Sequence, residues 1–357
     1  MTTTTTTIQS RRDTTANWKS VNPKPKAGEL CYETDLFKRA KMGDGSTNWN
    51  SLKHLLDSDE MAFAAFINGR YEGKNLATVH ATEISGYTSV YAWLEARRSA
   101  GNFEGINVND YIDIAHSGGT CGGYTINSGT KRARIAGINM YKGFWDGVNN
   151  ASIGNHIDFF FDTGFANIPM QTSNNNNGTS ENQNPWKSSI VYAVANGVNN
   201  YSTNAYNSVA HGVDASGGGI VDLLPDGLKA VLKPQVFYLP KRYSNSGLLT
   251  ESNSWEATDM GKLRAYSEVE LNGSPIHSMC KNSSDGVAYD IGGQPMQYPL
   301  FKYFAGTPGH RANGAYFWTS SCVGGSSSRF CIVDGGGYAV NGDASYANIL
   351  ARLGFRI

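Results

Sequence analysis

Apolar and polar residues alternate along this chain in short runs, separated by Gly, Asn, Ser and Asp, a period-two pattern that predicts many short strands. "VNDYIDIA" and "RARIAGINMY" read as strands, and "AYFWTSS", "RFCIVD" and "ARLGFRI" as a closing set near the C-terminus. In the last of these Leu353, Phe355 and Ile357 share one face, and Arg352, Gly354 and Arg356 share the other. Helical spacing is confined to a few stretches. "SDEMAFAAFINGR" offers Ser58 as an N-cap and Gly69 as a stop. "TSVYAWLEARRSAG" places Val90, Trp93 and Leu94 on one helical face and ends at Gly101. "NPWKSSIVYAVANG" predicts a helix capped by Asn184, with Pro185 at its first position and Gly197 at its end. Ser267 and Glu270 have the spacing of a capping box.

This pattern divides the chain into three regions. Residues 1–56 form a small β-rich module: two short strands around the Asp35-Leu36-Phe37 turn, then a tight Gly43-Asp44-Gly45 turn. A unit of this size buries little surface alone, so partners or oligomerisation are expected. Residues 57–100 read as a helical connector, and residues 101–357 as one α+β domain. Within that domain "QTSNNNNGTSENQN" and "NGVNNYSTNAYNS" are long polar loops, expected to be functional or mobile.

Composition narrows the classes. Of 357 residues, 40% are hydrophobic, enough for sizeable cores, and 30 basic residues balance 30 acidic ones. A general nucleic-acid or anionic-membrane binder would show a basic excess, so neither partner is expected. No apolar run reaches the roughly 20 residues of a membrane span. The N-terminus "MTTTTTTIQSRR" lacks the apolar core of a signal peptide, and synthesis in a cytoplasm follows as an expectation. Only 17% of residues are charged, while Gly and Tyr are abundant, which favours a loop-rich protein with polar, uncharged surfaces. Cys31, Cys121, Cys280, Cys322 and Cys331 are scattered and odd in number, and they read as buried thiols rather than a disulfide framework.

No catalytic motif emerges. GxSxG, HExxH and GxxxxGK[ST] are absent, and Gly217-Gly218-Gly219 lacks the spacing of a nucleotide-binding fingerprint. The "AHSGG" stretch, His116 to Gly119, has no acidic residue before its serine. His54, His80, His156, His211, His277 and His310 show no ligand spacing, so no cofactor or metal is expected. Cys322 and Cys331, nine residues apart across a Gly/Ser turn, could face each other as a disulfide or a soft-metal pair, or be two small residues on an exposed hairpin.

Two resemblances add to these readings. "IQSRRDTTANWKSVNPKPKAGELCYETDLFKRAKMGDGSTNWNSL" resembles the N-terminal module that phage tail fibres share with major tropism determinant proteins. Arg11, Arg12, Thr14, Trp18, Asn22, Pro23, Gly28, Glu29, Glu33, Thr34, Asp35, Lys41, Gly43, Asp44, Gly45, Trp49 and Leu52 carry it; Asp13 departs where the family has glycine. The last hundred or so residues are more loosely similar to a domain of the C-type lectin and formylglycine-generating-enzyme group, through Phe317, Trp318, Ser320, Phe330, Val333, Gly335, Gly354 and Arg356.

The resemblances imply an attachment and trimerisation module followed by a C-type lectin-like ligand-binding domain. The function implied is a non-enzymatic phage tail-fibre protein in the virion tail that contacts other tail proteins and a bacterial surface receptor. In some phages such a surface is diversified by a retroelement. The alternative is a copper oxidase like the formylglycine-generating enzymes, using Cys322 and Cys331. A calcium-dependent sugar lectin is a weaker variant, because neither a WND nor an EPN triplet occurs. Strand alternation turns Trp318, Phe330 and Leu353 inward, and the residues between them outward. The receptor site is therefore expected among Cys322, Val323, Ser327, Cys331, Asp334, Tyr338, Asn341, Asp343, Ser345, Tyr346 and Asn348, with the two tyrosines as anchors.

Overall fold

The apolar residues of the N-terminal stretch gather round two tryptophans. The computed structural model describes residues 11–35, 40–54, 71–144, 152–204, 209–243, 255–279, 296–303, 310–312 and 314–357. Among these, Arg11–Asp13 (β1), Leu30–Glu33 (β2) and Ala40–Met42 (β3) form a sheet in that order, β1 parallel and β3 antiparallel to β2. The helix Thr15–Val21 starts at Thr14, whose hydroxyl accepts from the Asn17 N–H. It brings Trp18 against Trp49, rings stacked at 5.6 Å, and the two close a core with Cys31. Lys41 is buried here: its ammonium lies 4.0 Å from the Trp49 ring centroid and donates to the Trp49 carbonyl at 2.8 Å. The expected Gly-Asp-Gly turn is present. Asp44 accepts from the Thr47 hydroxyl and from the Thr47 and Ser46 amides, which hold its carboxyl below the ordinary range, and Gly43 leaves no room for a Cβ, which would lie 2.2 Å from the Lys26 carbonyl oxygen.

The chain divides into two compact units, Met1–Tyr71 and Glu72–Ile357. The boundaries expected at 56 and 100 differ from this division. The second connector helix, Val90–Ala100, is part of the larger unit and ends at Gly101 as the pattern predicts; Ser89 caps it, and Tyr91, Trp93 and Leu94 are its buried residues. The first, Ser58 to Gly69, lies outside the described residues.

The larger unit is mixed α+β. Its main sheet runs, all antiparallel, in the order Leu263–Arg264 (β11), Gly354–Arg356 (β15), Ile157–Phe161 (β8), Gly129–Ile138 (β7) and Tyr111–His116 (β4). A second sheet is made of Phe317–Cys322 (β12), Arg329–Val333 (β13) and Ala339–Asp343 (β14). Two hairpins complete it: Gly119–Cys121 with Tyr124–Ile126 (β5, β6), and Val236–Pro240 with Trp255–Asp259 (β9, β10). Among the described residues no helix is long and apolar enough to cross a membrane.

The chain's C-terminal strand, β15, is interior to the main sheet, so both of its edges are hydrogen-bonded, and its residues are buried on both faces. Phe355 stacks on Phe159 at 4.9 Å. On the other face Arg356 forms a two-point ion pair with buried Asp158 (2.7 and 3.0 Å), which also accepts from the Tyr298 hydroxyl. Arg264 and Glu270, both without exposed surface, pair through two 2.6 Å contacts, and Glu270 also accepts from the Tyr141 hydroxyl and the Ser267 N–H. The helix predicted from Asn184 begins later. Asn184 caps a preceding turn through the Trp186 and Lys187 amides, and the regular helix is Ile190–Asn196, capped by Ser189.

This core predicts a pH response. His156 accepts from the Tyr141 amide through Nε2 and faces the Gly154 carbonyl with Nδ1, an arrangement that fixes the neutral imidazole. Burial pushes its pKa below the ordinary imidazole value, and burial does the same to His211. The unfolded chain therefore binds protons first, so stability is expected to fall as pH drops below about 6.5. Asp158 adds a second loss at lower pH. Burial opposes its charge, but the paired Arg356 guanidinium outweighs that and holds its carboxyl below the ordinary range, so its contribution disappears as pH falls through that depressed value. Urea titrations at pH 7, 5.5, 4 and about 2.5 check this, and a flat free energy between the first two would sink the histidine part.

Candidate functional site

The sheet β12–β14 is built on an apolar layer. Trp318 packs edge-on against Phe330 at 6.2 Å and donates from its indole nitrogen to the Ile168 carbonyl at 2.7 Å. Phe330 lies opposite Gly342 in the ladder, and Ile332 opposite Val340. A Cβ on Gly342 would sit 3.2 Å from both Ile332 and Ile349 and 3.4 Å from the Tyr346 ring. Tyr346 therefore covers this apolar layer with its ring while staying half exposed.

The opposite face of the same strands is polar. Arg329 donates to Asp343 at 2.9 Å and to the Asn341 side-chain oxygen at 3.2 Å. Asn174 extends the row by accepting from the Ser345 hydroxyl at 2.5 Å and donating to Asp343 at 3.4 Å. At the other end the Asn341 amide lies 3.5 Å from the His277 ring nitrogen. Arg329 is about half exposed, so the ion pair with Asp343 orients side chains more than it stabilises the fold.

The turns at each end are held from within. Asp334 accepts from the Gly336 and Tyr338 amides, which shapes the β13–β14 turn and leaves Tyr338 72% exposed, the most open large hydrophobic side chain described. The β12–β13 turn is fastened by the Asn-rich segment: the Asn176 amide donates to the Ser326 and Arg329 carbonyls at 2.7 and 2.6 Å, and Arg242 donates to the Val323 and Ser326 carbonyls.

Of the eleven candidate residues, Ser327, Tyr338, Tyr346 and Asn348 are exposed, and Asp334, Asn341, Asp343 and Ser345 are half-buried. Cys322, Val323 and Cys331 are buried and are corrected from outward positions to interior ones. The reasons are local. Cys322 shares the Phe330 face of the sheet beyond an irregularity in the β12 register, with its thiol 3.4 Å from the Asn176 carbonyl, and the carbonyl of Val323 accepts from buried Arg242. Cys322 stands opposite Phe330 rather than Cys331, and the Cys331 thiol is directed at the Cys322 carbonyl at 3.5 Å. Both are buried thiols, and among the described residues no three His, Cys, Asp or Glu side chains gather as a metal set. In the Asn-rich loop, expected to be functional or mobile, Asn175, Asn176, Asn177 and Thr179 are buried.

The remaining candidates fall on two faces. Asn341, Asp343 and Ser345 belong to the polar row, whereas Tyr346 covers the apolar layer behind it. Ala339 to Asp343 spans about 13 Å, so Tyr338 and Tyr346 flank the strand at its two ends. Arg329, Asn174 and His277 complete the row and were not foreseen. Arg329 has a local signal, a lone charge at the start of an apolar strand, while Asn174 and His277 arrive from distant segments with none.

Residues 8–47 match the family model of the major tropism determinant N-terminal domain. The match supports a phage tail-fibre protein of the major tropism determinant kind, located in the virion tail. No curated protein and no solved structure matches the chain.

Proposed function

We propose that the chain is a non-enzymatic receptor-binding protein of a phage tail fibre, working without cofactor or metal. The first unit attaches it to other tail proteins and assembles it as a homotrimer. In the second unit, a C-type lectin-like domain, the face formed by β13, β14 and their turns binds a bacterial surface receptor, protein or glycan. The observation that carries this reading is the exposed set of Tyr338, Tyr346, Ser327, Asn348 and the Arg329–Asn341–Asp343 row on a rigid apolar support. Tyrosine supplies rigid contact area, while Ser, Asn and Arg supply adaptable hydrogen bonds. The tail-fibre module at the N-terminus gives that face a virion to act from.

The same division of labour suits diversification by a retroelement. Tyr338, Ser327 and Asn348 can change identity without disturbing Trp318, Phe330 or Ile332, which hold the sheet. A trimer would strengthen weak single-site contacts by roughly 10²–10⁴ when all three sites engage. The purified full chain is expected to scatter light as three chains at micromolar concentration and to adsorb to host cells. A monomer mass would remove the trimer, and absence of adsorption with the chain folded would remove the receptor function.

A further inference from the structure

His277 enters the polar row of β13 and β14 from outside the sheet, just beyond the helix Glu268–Asn272. Its backbone is pinned in place. The buried Glu268 carboxylate accepts from the His277 amide at 2.9 and 3.0 Å and from the Ser278 amide at 2.8 Å, and the His277 carbonyl accepts from the Gly324 amide at 2.9 Å. From there the ring reaches β14, with Nε2 3.4 Å from the Ala339 carbonyl oxygen and Nδ1 3.5 Å from the Asn341 amide nitrogen.

Chemistry fixes which way each group points. A guanidinium only donates, so Asn341 turns its oxygen to Arg329, 3.2 Å away, and its NH2 to His277. Nδ1 is therefore the acceptor of this contact and carries no proton. The Ala339 carbonyl only accepts, so the ring proton sits on Nε2. Both ring contacts are at the long end of the hydrogen-bond range, and the arrangement is held weakly. The charged groups that face it are Glu268 beneath its backbone, Arg329 on β13 and Asp343 on β14, the last two reached through Asn341.

A second proton, taken from solvent onto Nδ1, reverses the contact. Nδ1–H and the Asn341 NH2 then face each other as two donors. The amide relieves this by turning over, which gives its oxygen to Nδ1–H and points its NH2 at Arg329. That is again donor against donor, so the conflict moves one residue along. Arg329 is half exposed and still held by Asp343 through Nε at 2.9 Å, so its outer arm is the group that leaves. We infer that His277 is a proton-operated latch on this face: with one ring proton it holds Asn341 and Arg329 in the row, and with two it turns the Asn341 amide over and releases the outer arm of Arg329. The row gains one positive charge and an unpaired guanidinium arm, which suits an acidic receptor group. The use of the latch rests on the receptor-face reading above; the coupling itself does not.

NMR of the full chain labelled at histidine, asparagine and arginine tests this between about pH 8 and about pH 5, where histidines change charge. The His277 ring, the Asn341 side-chain amide and the Arg329 Nε–H are expected to shift together with one midpoint. In Asn341→Ala the ring should still titrate while Arg329 stays still. In His277→Gln neither Asn341 nor Arg329 should move. The wild-type result stands alone should either variant fail to fold. Asn341 or Arg329 ignoring the His277 midpoint overturns the latch, as does a His277 ring that never changes in this range. An Arg329 shift that survives Asn341→Ala overturns it too, since plain repulsion across space would then suffice. Adsorption to host cells is expected to differ at least about threefold between about pH 7.5 and about pH 5.5, the reach of one charge contact near water, and to be level in His277→Gln. Level adsorption of the wild-type chain removes the control of binding. Adsorption absent at both values counts against the receptor reading instead, because the resonances report the latch by themselves.

Discussion

Replacing Arg264 by methionine is expected to destabilise the larger unit by about 3–5 kcal/mol, the usual cost of stripping one partner from a buried ion pair. A drop in melting temperature on the order of 10 °C follows for a unit of this size. Arg264 has no exposed surface, pairs with both oxygens of Glu270 at 2.6 Å, and donates to Gln235 at 2.7 Å. Burial alone would disfavour its charge, but Glu270 more than offsets this and keeps the guanidinium protonated. Without it, the Glu270 carboxylate would stay buried with only the Tyr141 hydroxyl and the Ser267 amide as donors. The double variant Arg264→Met, Glu270→Gln is expected to cost less than the sum of the single changes by at least about 1 kcal/mol, because no lone charge is then left inside. Calorimetry of the three variants measures both quantities. A single Arg264→Met change costing under about 1 kcal/mol would mean that the pair is solvated in solution.

That network marks the limit of what the sequence disclosed about the fold. Caps were legible because they are local. Gly101, Gly197 and the Ser267–Glu270 box are all present, each needing only neighbours within a few positions. Alternation in "ARLGFRI" was legible too, with Leu353, Phe355 and Ile357 on one side of the strand. Its consequence was not. A strand ending in Arg352, Gly354 and Arg356 suggests a solvent face, yet all three are buried. Arg352 lies 4.4 and 4.8 Å from the Phe160 and Phe317 ring centroids and donates to the Phe161 carbonyl, and Arg356 meets Asp158. Those partners are far away in sequence, and no periodicity encodes them.

The candidate site was legible to the same degree and failed for the same reason. Alternation separates Phe330 and Ile332 from Arg329 and Cys331, but it cannot tell whether the second face meets solvent or another segment. On that face Arg329 is exposed and Cys331 buried. Polarity made the Asn-rich stretch read as a functional or mobile loop, whereas Asn176 is buried and fastens the β12–β13 turn by donating to the Ser326 and Arg329 carbonyls. Buried asparagines satisfied by distant carbonyls have no local signature. Tyr338 was easier, because Asp334 and the glycines after it set an outward turn within five residues.

The two tyrosines carry the largest functional expectation. Tyr338→Ala is expected to lower the affinity of a single domain for its receptor about 30-fold, the effect of losing an aromatic anchor worth about 2 kcal/mol, and to change stability by less than about 0.5 kcal/mol. Its ring is 72% exposed, and the turn that places it is made by backbone amides on Asp334, which the substitution leaves intact. Tyr346→Ala should behave differently. Its ring lies over Gly342 beside Ile332 and Ile349, so a stability cost of about 1 kcal/mol accompanies any loss of binding. Together the two changes should abolish adsorption of the assembled fibre, since avidity multiplies the loss at each site. Measuring adsorption beside denaturant midpoints for both single variants and the double variant separates the roles. Adsorption that survives the double variant would move the receptor site off both ends of β14. Adsorption lost only with Tyr346 and in step with stability would make that ring a structural cover, leaving Tyr338, Ser327 and the Arg329–Asp343 row as the contact surface to be scanned.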